Sequence, residues 1–147
     1  MKIHYLNCDG KAKLFSFSGH DYKEKTIDGI SYMIDGGFDY IRHSITGTLE
    51  RVEIKDVIKD IRTQFKWGTN YDKDNNLLDK TKFEILENLD TLHIINILSW
   101  FTNKLYKRVI KEDIDYDKDD LPIDRHWCII HEIFIQELKY RLENGKY

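Results

Sequence analysis

The sequence predicts an α+β fold, a small N-terminal antiparallel sheet packed against about three C-terminal helices. Two observations carry that expectation. Over residues 1–50, β-favouring and aromatic residues come in short runs broken by glycine, whereas from Val52 onward the apolar residues fall at helical spacing. Strands first and helices afterwards is the order of segregated layers, and 147 residues suffice for one domain with a substantial core. The expected organisation is a single domain over 1–147, mainly β over 1–50, with helices over 52–67, 90–108 and 123–143.

The elements follow in order. IHYLN (3–7) and KLFSFS (13–18) read as strands joined through Cys8-Asp9-Gly10-Lys11, whose Asp-Gly is a strong hairpin signal. On the second strand Phe15 and Phe17 point one way and Leu14 and Ser16 the other, which sends the aromatic pair toward a core. GHDYKEKTIDG reads as a polar connection, ISYMI as a third strand, Gly36-Gly37 as a turn and FDYIRHSIT as a fourth strand. From Val52, Ile54, Val57, Ile58, Ile61 and Phe65 share one helical face, with Lys55, Asp56, Lys59, Asp60 and Arg62 opposite. That helix should stop at Trp67-Gly68, and NYDKDNNLLDKTKF should be loop.

The second helix starts with Asp90 as N-cap and Leu89 stapled to Ile94, and its stripe continues through Leu98, Phe101 and Leu105. After the acidic DIDYDKDDLP, the third helix turns Trp127, Ile130, Phe134 and Leu138 inward, carries a Glu137–Arg141 pair and ends before Asn144-Gly145. His131 falls in its buried stripe and reads as a core histidine.

Composition narrows the function classes. Twenty Ile and seventeen Lys against a single Ala (Ala12) and a single Pro (Pro122) are the mark of an AT-rich coding sequence. Net charge is only −3, spread as −1 over residues 1–50, +3 over 51–111 and −5 over 112–147, which argues against a general nucleic-acid binder. Cys8 and Cys128 form neither a disulfide framework nor a zinc quartet. The opening MKIHYLNCDG lacks an apolar signal-peptide run, and no stretch approaches the ~18 apolar residues of a membrane span, so a soluble intracellular protein with no membrane partner is expected.

No cofactor motif is written in the chain. Asp113, Asp115, Asp117, Asp119 and Asp124 superficially follow a calcium loop, but Lys118 stands where the turn needs glycine and Pro122 intrudes. A solvated acidic loop or a surface for a basic partner explains those residues equally well. His126 and His131 are five apart, roughly 140° around a helix, and cannot share a metal. Nucleophile elbows, Walker loops and dinucleotide fingerprints are absent.

Glycine, acid, aromatic, arginine and histidine concentrate only in GHDY (19–22) and DGGFDYIRH (35–43). On a strand after the double glycine, Phe38, Tyr40 and Arg42 share one side, offering rings to stack a base and a guanidinium to pair a phosphate. Tyr22 joins them as a candidate, with Gly36 and Gly37 supplying backbone contacts. The other side carries Asp39 and His43, which with His20, Asp21 and Asp35 form the residue set of a metal-assisted phosphoesterase. The plainer reading is a hairpin turn at the glycines, Phe38 and Tyr40 in the core and Arg42 paired with a neighbouring acid.

FSFSGHDY, IDGGFDYIRH, FKWGTNYDKDNN, LDTLHIINIL and IHEIFIQELKYR together resemble a family of small, uncharacterised proteins of tailed bacteriophages. The resemblance implies a phage product in the cytoplasm of a bacterial host and carries over no catalytic residues. It leads to the expectation of a non-catalytic accessory protein that antagonises a host process or antiviral defence. Such a protein would sequester a nucleotide signal or occlude a host protein through surfaces such as Trp67, Tyr71 or the acidic loop around Tyr116. A hydrolase is the alternative, and an unpaired sheet edge leaves room for a homodimer.

Overall fold

The structure, a computed structural model, describes residues 1–17, 21–36, 41–72, 74–111 and 122–146. Strands β1 (Lys2–Asn7), β2 (Lys13–Phe15) and β6 (Thr48–Glu53) form an antiparallel sheet in the order β2-β1-β6. Strands β3 (Asp21–Ile27), β4 (Ile30–Gly36) and β5 (Ile41–His43) form a second, in the order β3-β4-β5. After a 3-10 turn (Ile54–Asp56) and the short helix α1 (Ile58–Ile61), β7 (Lys66–Tyr71) and β8 (Leu77–Ile85) make a two-stranded ribbon. A second 3-10 turn, Leu86–Asn88, leads into α2 (Thr91–Lys111), and α3 (Pro122–Glu143) completes the fold.

The α+β class is as expected, and so are the two long helices. The Asp-Gly signal also holds: Asp9 and Gly10 both take positive φ (53° and 77°) between β1 and β2. Asp28 and Gly29 repeat it (52° and 77°), closing Ile27 onto Ile30 in a two-residue hairpin. That second hairpin turns the expected polar connection into β3. Its alternation is faint because β3 is an edge strand whose residues are exposed or only half-buried.

Period two places the β2-β1-β6 sheet between two apolar layers. Ile3, Tyr5, Phe15 and Phe17 face a core completed by Ile54, Ile61, Phe65, Ile94, Phe101, Ile133 and Phe134. Leu6, Cys8 and Leu14 face Tyr32 and Ile34 of β4, which are fully buried. The aromatic pair does enter the core: Phe15 stacks on Phe17 at 5.8 Å, Phe17 meets Phe65 edge-on at 5.2 Å, and Phe65 meets Phe134 at 5.7 Å. Leu89 and Ile94 are buried in that same core, whereas the side chains of Leu105 and Trp127 lie outside the described residues.

The expected helix over 52–67 does not form. Its apolar stripe is nonetheless buried at each position, Ile54, Val57, Ile58, Ile61 and Phe65 all lining the core. The backbone delivers them through the end of β6, a 3-10 turn and four residues of α-helix. β-branched residues at 52, 54, 57, 58 and 61 weaken a helix, and pairing of β6 with β1 from Lys2↔Glu53 to Asn7↔Thr48 takes the first residues into the sheet.

Gly68 is likewise no helix end. It sits within β7 opposite Phe83, and a Cβ there would lie 2.9 Å from the Phe83 ring. The expected loop 70–83 is largely β8 and its turn, in which the Asp72 carboxylate accepts N–H bonds from Asp74 and Asn76, both at 2.9 Å. Charged residues occupy both faces of β8, so no apolar alternation announced it.

A buried ionic cluster ties the helices to the 3-10 turn that follows the ribbon. Arg62 donates from Nε and Nη2 to the two oxygens of Glu137, each at 3.0 Å, and Arg141 Nε donates to Glu137 Oε1 at 2.8 Å. Arg141 also reaches Thr91 Oγ1 (2.9 Å) and the Leu86 carbonyl (3.0 Å), and Arg62 lies over the Tyr140 ring. Glu137 is fully buried and both arginines nearly so. The expected Glu137–Arg141 pair is thus present, but Arg62, assigned to a solvent face, joins it inside. His131 stands half-buried at the margin rather than within the core. Gln64 donates to the Lys13 carbonyl (2.6 Å), covering the open edge of β2.

Candidate functional site

The β3-β4-β5 sheet brings several of the candidate residues together. Its register aligns Tyr22 with Asp35 and Asp35 with Arg42, so the three side chains form one row on one face. That face is turned away from the core, because Tyr32 and Ile34 fill the other. Arg42 pairs with Asp35 through a close Nη2–Oδ2 ion pair. Tyr22 is 53% exposed, and its hydroxyl donates to Glu24 Oε2 at 2.8 Å. That hydrogen bond pushes the phenol pKa upward.

The inner side of the same sheet holds the remaining acids and bases differently. Asp21 accepts the Phe17 backbone N–H at 2.8 Å and lies 3.5 Å from Lys23 Nζ. Lys23 reaches under the sheet to place its ammonium 4.2 Å from the Phe17 ring centroid, without a hydrogen-bond partner among the described residues. Burial lowers its pKa. His43 is exposed, with Nδ1 2.8 Å from the Ser44 carbonyl. Gly36 is buried in the ladder between Asp21 and Ile41, which removes it as an exposed backbone contact.

Of the hydrolase set, therefore, Asp35 lies on the outer face, while Asp21 and His43 lie on the inner one, two strands and two residues apart. His20, Gly37, Phe38, Asp39 and Tyr40 lie outside the described residues, as do the acidic loop 113–120 and the side chain of His126. No group of three metal-ligating His, Cys, Asp or Glu side chains occurs among the described residues. Residue order alone does not show Glu24 or the row, because the polar composition of 21–27 reads as a connection rather than as β3. The Asp28-Gly29 turn, the same signal used at Asp9-Gly10, was the available clue.

Elsewhere, large apolar side chains are exposed on the ribbon (Tyr71, Leu77, Phe83) and on α2 (Leu92, Ile95, Trp100). Trp67, expected as a contact surface, instead packs on Phe134 and Phe101 at 5.3 and 5.9 Å. No helix among the described residues is long and apolar enough to cross a membrane. Comparison with protein-family models, curated proteins and solved structures found no match to the chain.

Proposed function

We propose that the protein is a non-catalytic binder that takes a small nucleotide on the outer face of the β3-β4-β5 sheet. In a bacterial host, as the resemblance to phage proteins implies, it withdraws that nucleotide from a host or antiviral signalling process. The observation that supports this reading is the row Tyr22–Asp35–Arg42, in which the half-buried Asp35 stands between an exposed aromatic ring and an exposed guanidinium on one face. Stacking on an exposed ring and charge-assisted pairing to a phosphate are the two contacts nucleotide recognition needs most. The hydrolase alternative draws less support, since Asp35 faces away from Asp21 and His43.

The test is thermal unfolding of the purified protein against mono-, di- and cyclic nucleotides, followed by recovery of the nucleotide. A bound ligand at a hundred times its Kd stabilises by about 2.7 kcal/mol, which is easily read as a rise in midpoint. The expected outcome is a rise with some nucleotide that is lost in Arg42→Glu, and intact nucleotide after incubation. Turnover of the nucleotide would instead establish the hydrolase, and no rise with any of them would remove the nucleotide reading.

A further inference from the structure

The end of α3 combines a sequence step and a backbone geometry that favour covalent chemistry. Asn144-Gly145 is the single asparagine–glycine step in the chain. It closes the helix, with Gly145 at φ 65° and the Lys146 N–H returning to the Arg141 carbonyl at 2.8 Å. We propose that Asn144 is a site of spontaneous deamidation, and that its conversion loosens the last turn of α3. This modification is independent of nucleotide binding.

Hydroxide removes the proton from the Gly145 main-chain nitrogen, which then bonds to Asn144 Cγ. The Cγ–Nδ2 bond breaks, and the amide takes a proton back from water and leaves as ammonia. Water opens the resulting cyclic imide at either carbonyl, giving aspartate or isoaspartate. Burial, a side chain on the following residue, or a hydrogen bond from that residue's N–H would each hold this chemistry back. Here Asn144 and Gly145 are exposed, glycine offers no side chain, and the Gly145 N–H makes no hydrogen bond among the described residues. Every other asparagine precedes a residue with a side chain, and those of Asn7 and Asn70 are engaged with Glu50 and Thr81. What restrains the Asn144 side chain is the bond from Nδ2 to the Tyr140 carbonyl, 2.8 Å long and open to water. Conversion removes it, because a carboxylate cannot donate, and adds a negative charge beside Glu143 at the negative end of the helix dipole. The turn that loosens includes Arg141, whose guanidinium holds Glu137 in the buried ionic cluster.

The deciding experiment ages the full folded chain at neutral and mildly alkaline pH and maps its tryptic peptides by mass over time. Trypsin releases Asn144 within the peptide from Leu142 to Lys146, and enzymatic methylation of isoaspartate distinguishes the two products. That peptide should convert ahead of every other asparagine-containing peptide, and faster at the higher pH, where more of the nitrogen is deprotonated. Its rate should lie within about tenfold of that of the same peptide free in solution, the most that one exposed hydrogen bond can withhold. Gly145→Ala should lose the conversion over the same period. Asn144→Asp supplies the product directly, and hydrogen exchange should show the amides of residues 144 and 146 opening about two- to fivefold more often, the effect of one charge on the helix dipole. An intact Asn144 in the folded chain while the free peptide converts, or conversion undiminished in Gly145→Ala, overturns the site. Unchanged exchange in Asn144→Asp overturns the loosening of α3.

Discussion

Replacing Glu137 by alanine should nearly unmake this fold. The carboxylate is fully buried and receives three guanidinium hydrogen bonds, two from Arg62 at 3.0 Å and one from Arg141 at 2.8 Å. Without it, two buried cations remain with only part of their hydrogen bonding. Arg62 keeps Glu87 at 3.3 Å and Arg141 keeps Thr91 and the Leu86 carbonyl. Breaking a buried pair from one side costs about 3–5 kcal/mol, because the surviving charge is stranded away from water.

Against a domain stability of about 5–15 kcal/mol, that loss removes between about a fifth and the whole of the total. It corresponds to a fall in Tm of roughly 12 °C and in urea midpoint of about 2 M. Urea unfolding followed by tryptophan fluorescence and circular dichroism reads the change. The informative control is the triple variant Arg62→Met, Glu137→Leu, Arg141→Met, which removes all three charges together. It should stay within about 2 kcal/mol of the wild type, since desolvation of the ions largely offsets their attraction. A loss below about 1 kcal/mol in Glu137→Ala, or a triple variant as damaged as the single one, would refute this account.

Three further predictions follow from other parts of the chain. The Tyr5 phenol donates to Glu50, and this bond, aided by burial, pushes its pKa up to about 12. The folded state therefore holds that proton more tightly, so the stabilisation is complete below about pH 10 and is lost between about 10 and 12. Glu50, lowered from its ordinary 4.5 by the same bond, adds stability that is present above that value and lost as the pH falls through its folded pKa. Unfolding measured across pH in Tyr5→Phe should show both limbs flattened, and unchanged limbs would count against the bond.

Lys23→Met removes an inward-pointing charge from the edge strand β3. Sedimentation at rising concentration should reveal new self-association, while the unfolding free energy shifts by no more than about 1 kcal/mol. Gly47→Ala forces a side chain onto φ +83°, with its Cβ 2.7 Å from the Asn7 carbonyl oxygen. That contact is with backbone and cannot yield cheaply, so chemical denaturation should show a loss of about 2 kcal/mol or more.

Much of this molecule was legible from residue order alone. Local signals sufficed for the first hairpin, because Asp9-Gly10 needs only its own backbone to specify a turn. Burial periodicity sufficed for α2 and α3 and for the inward direction of Phe15 and Phe17. The stripe Ile54–Phe65 shows where such reasoning stops. Its positions were assigned correctly to the core, but a 3.6-residue period describes which side chains are buried and not which backbone buries them. Pairing of β6 with β1 decided the backbone, and that contact joins residues 41 to 51 positions apart.

Only tertiary structure settled three further matters. Arg62 became a core residue because Glu137, 75 positions away, offers it a bidentate partner. The ribbon β7–β8 formed although its second strand is charged on both faces, since hydrogen bonding across the pair needs no apolar alternation. The candidate site followed the same rule. Residue types in GHDY and DGGFDYIRH were visible from the start, yet cross-strand register alone placed Tyr22, Asp35 and Arg42 in one row and turned Asp21 and His43 to the opposite side. A strand's own sequence determines which residues alternate, while its neighbours determine what each of them meets.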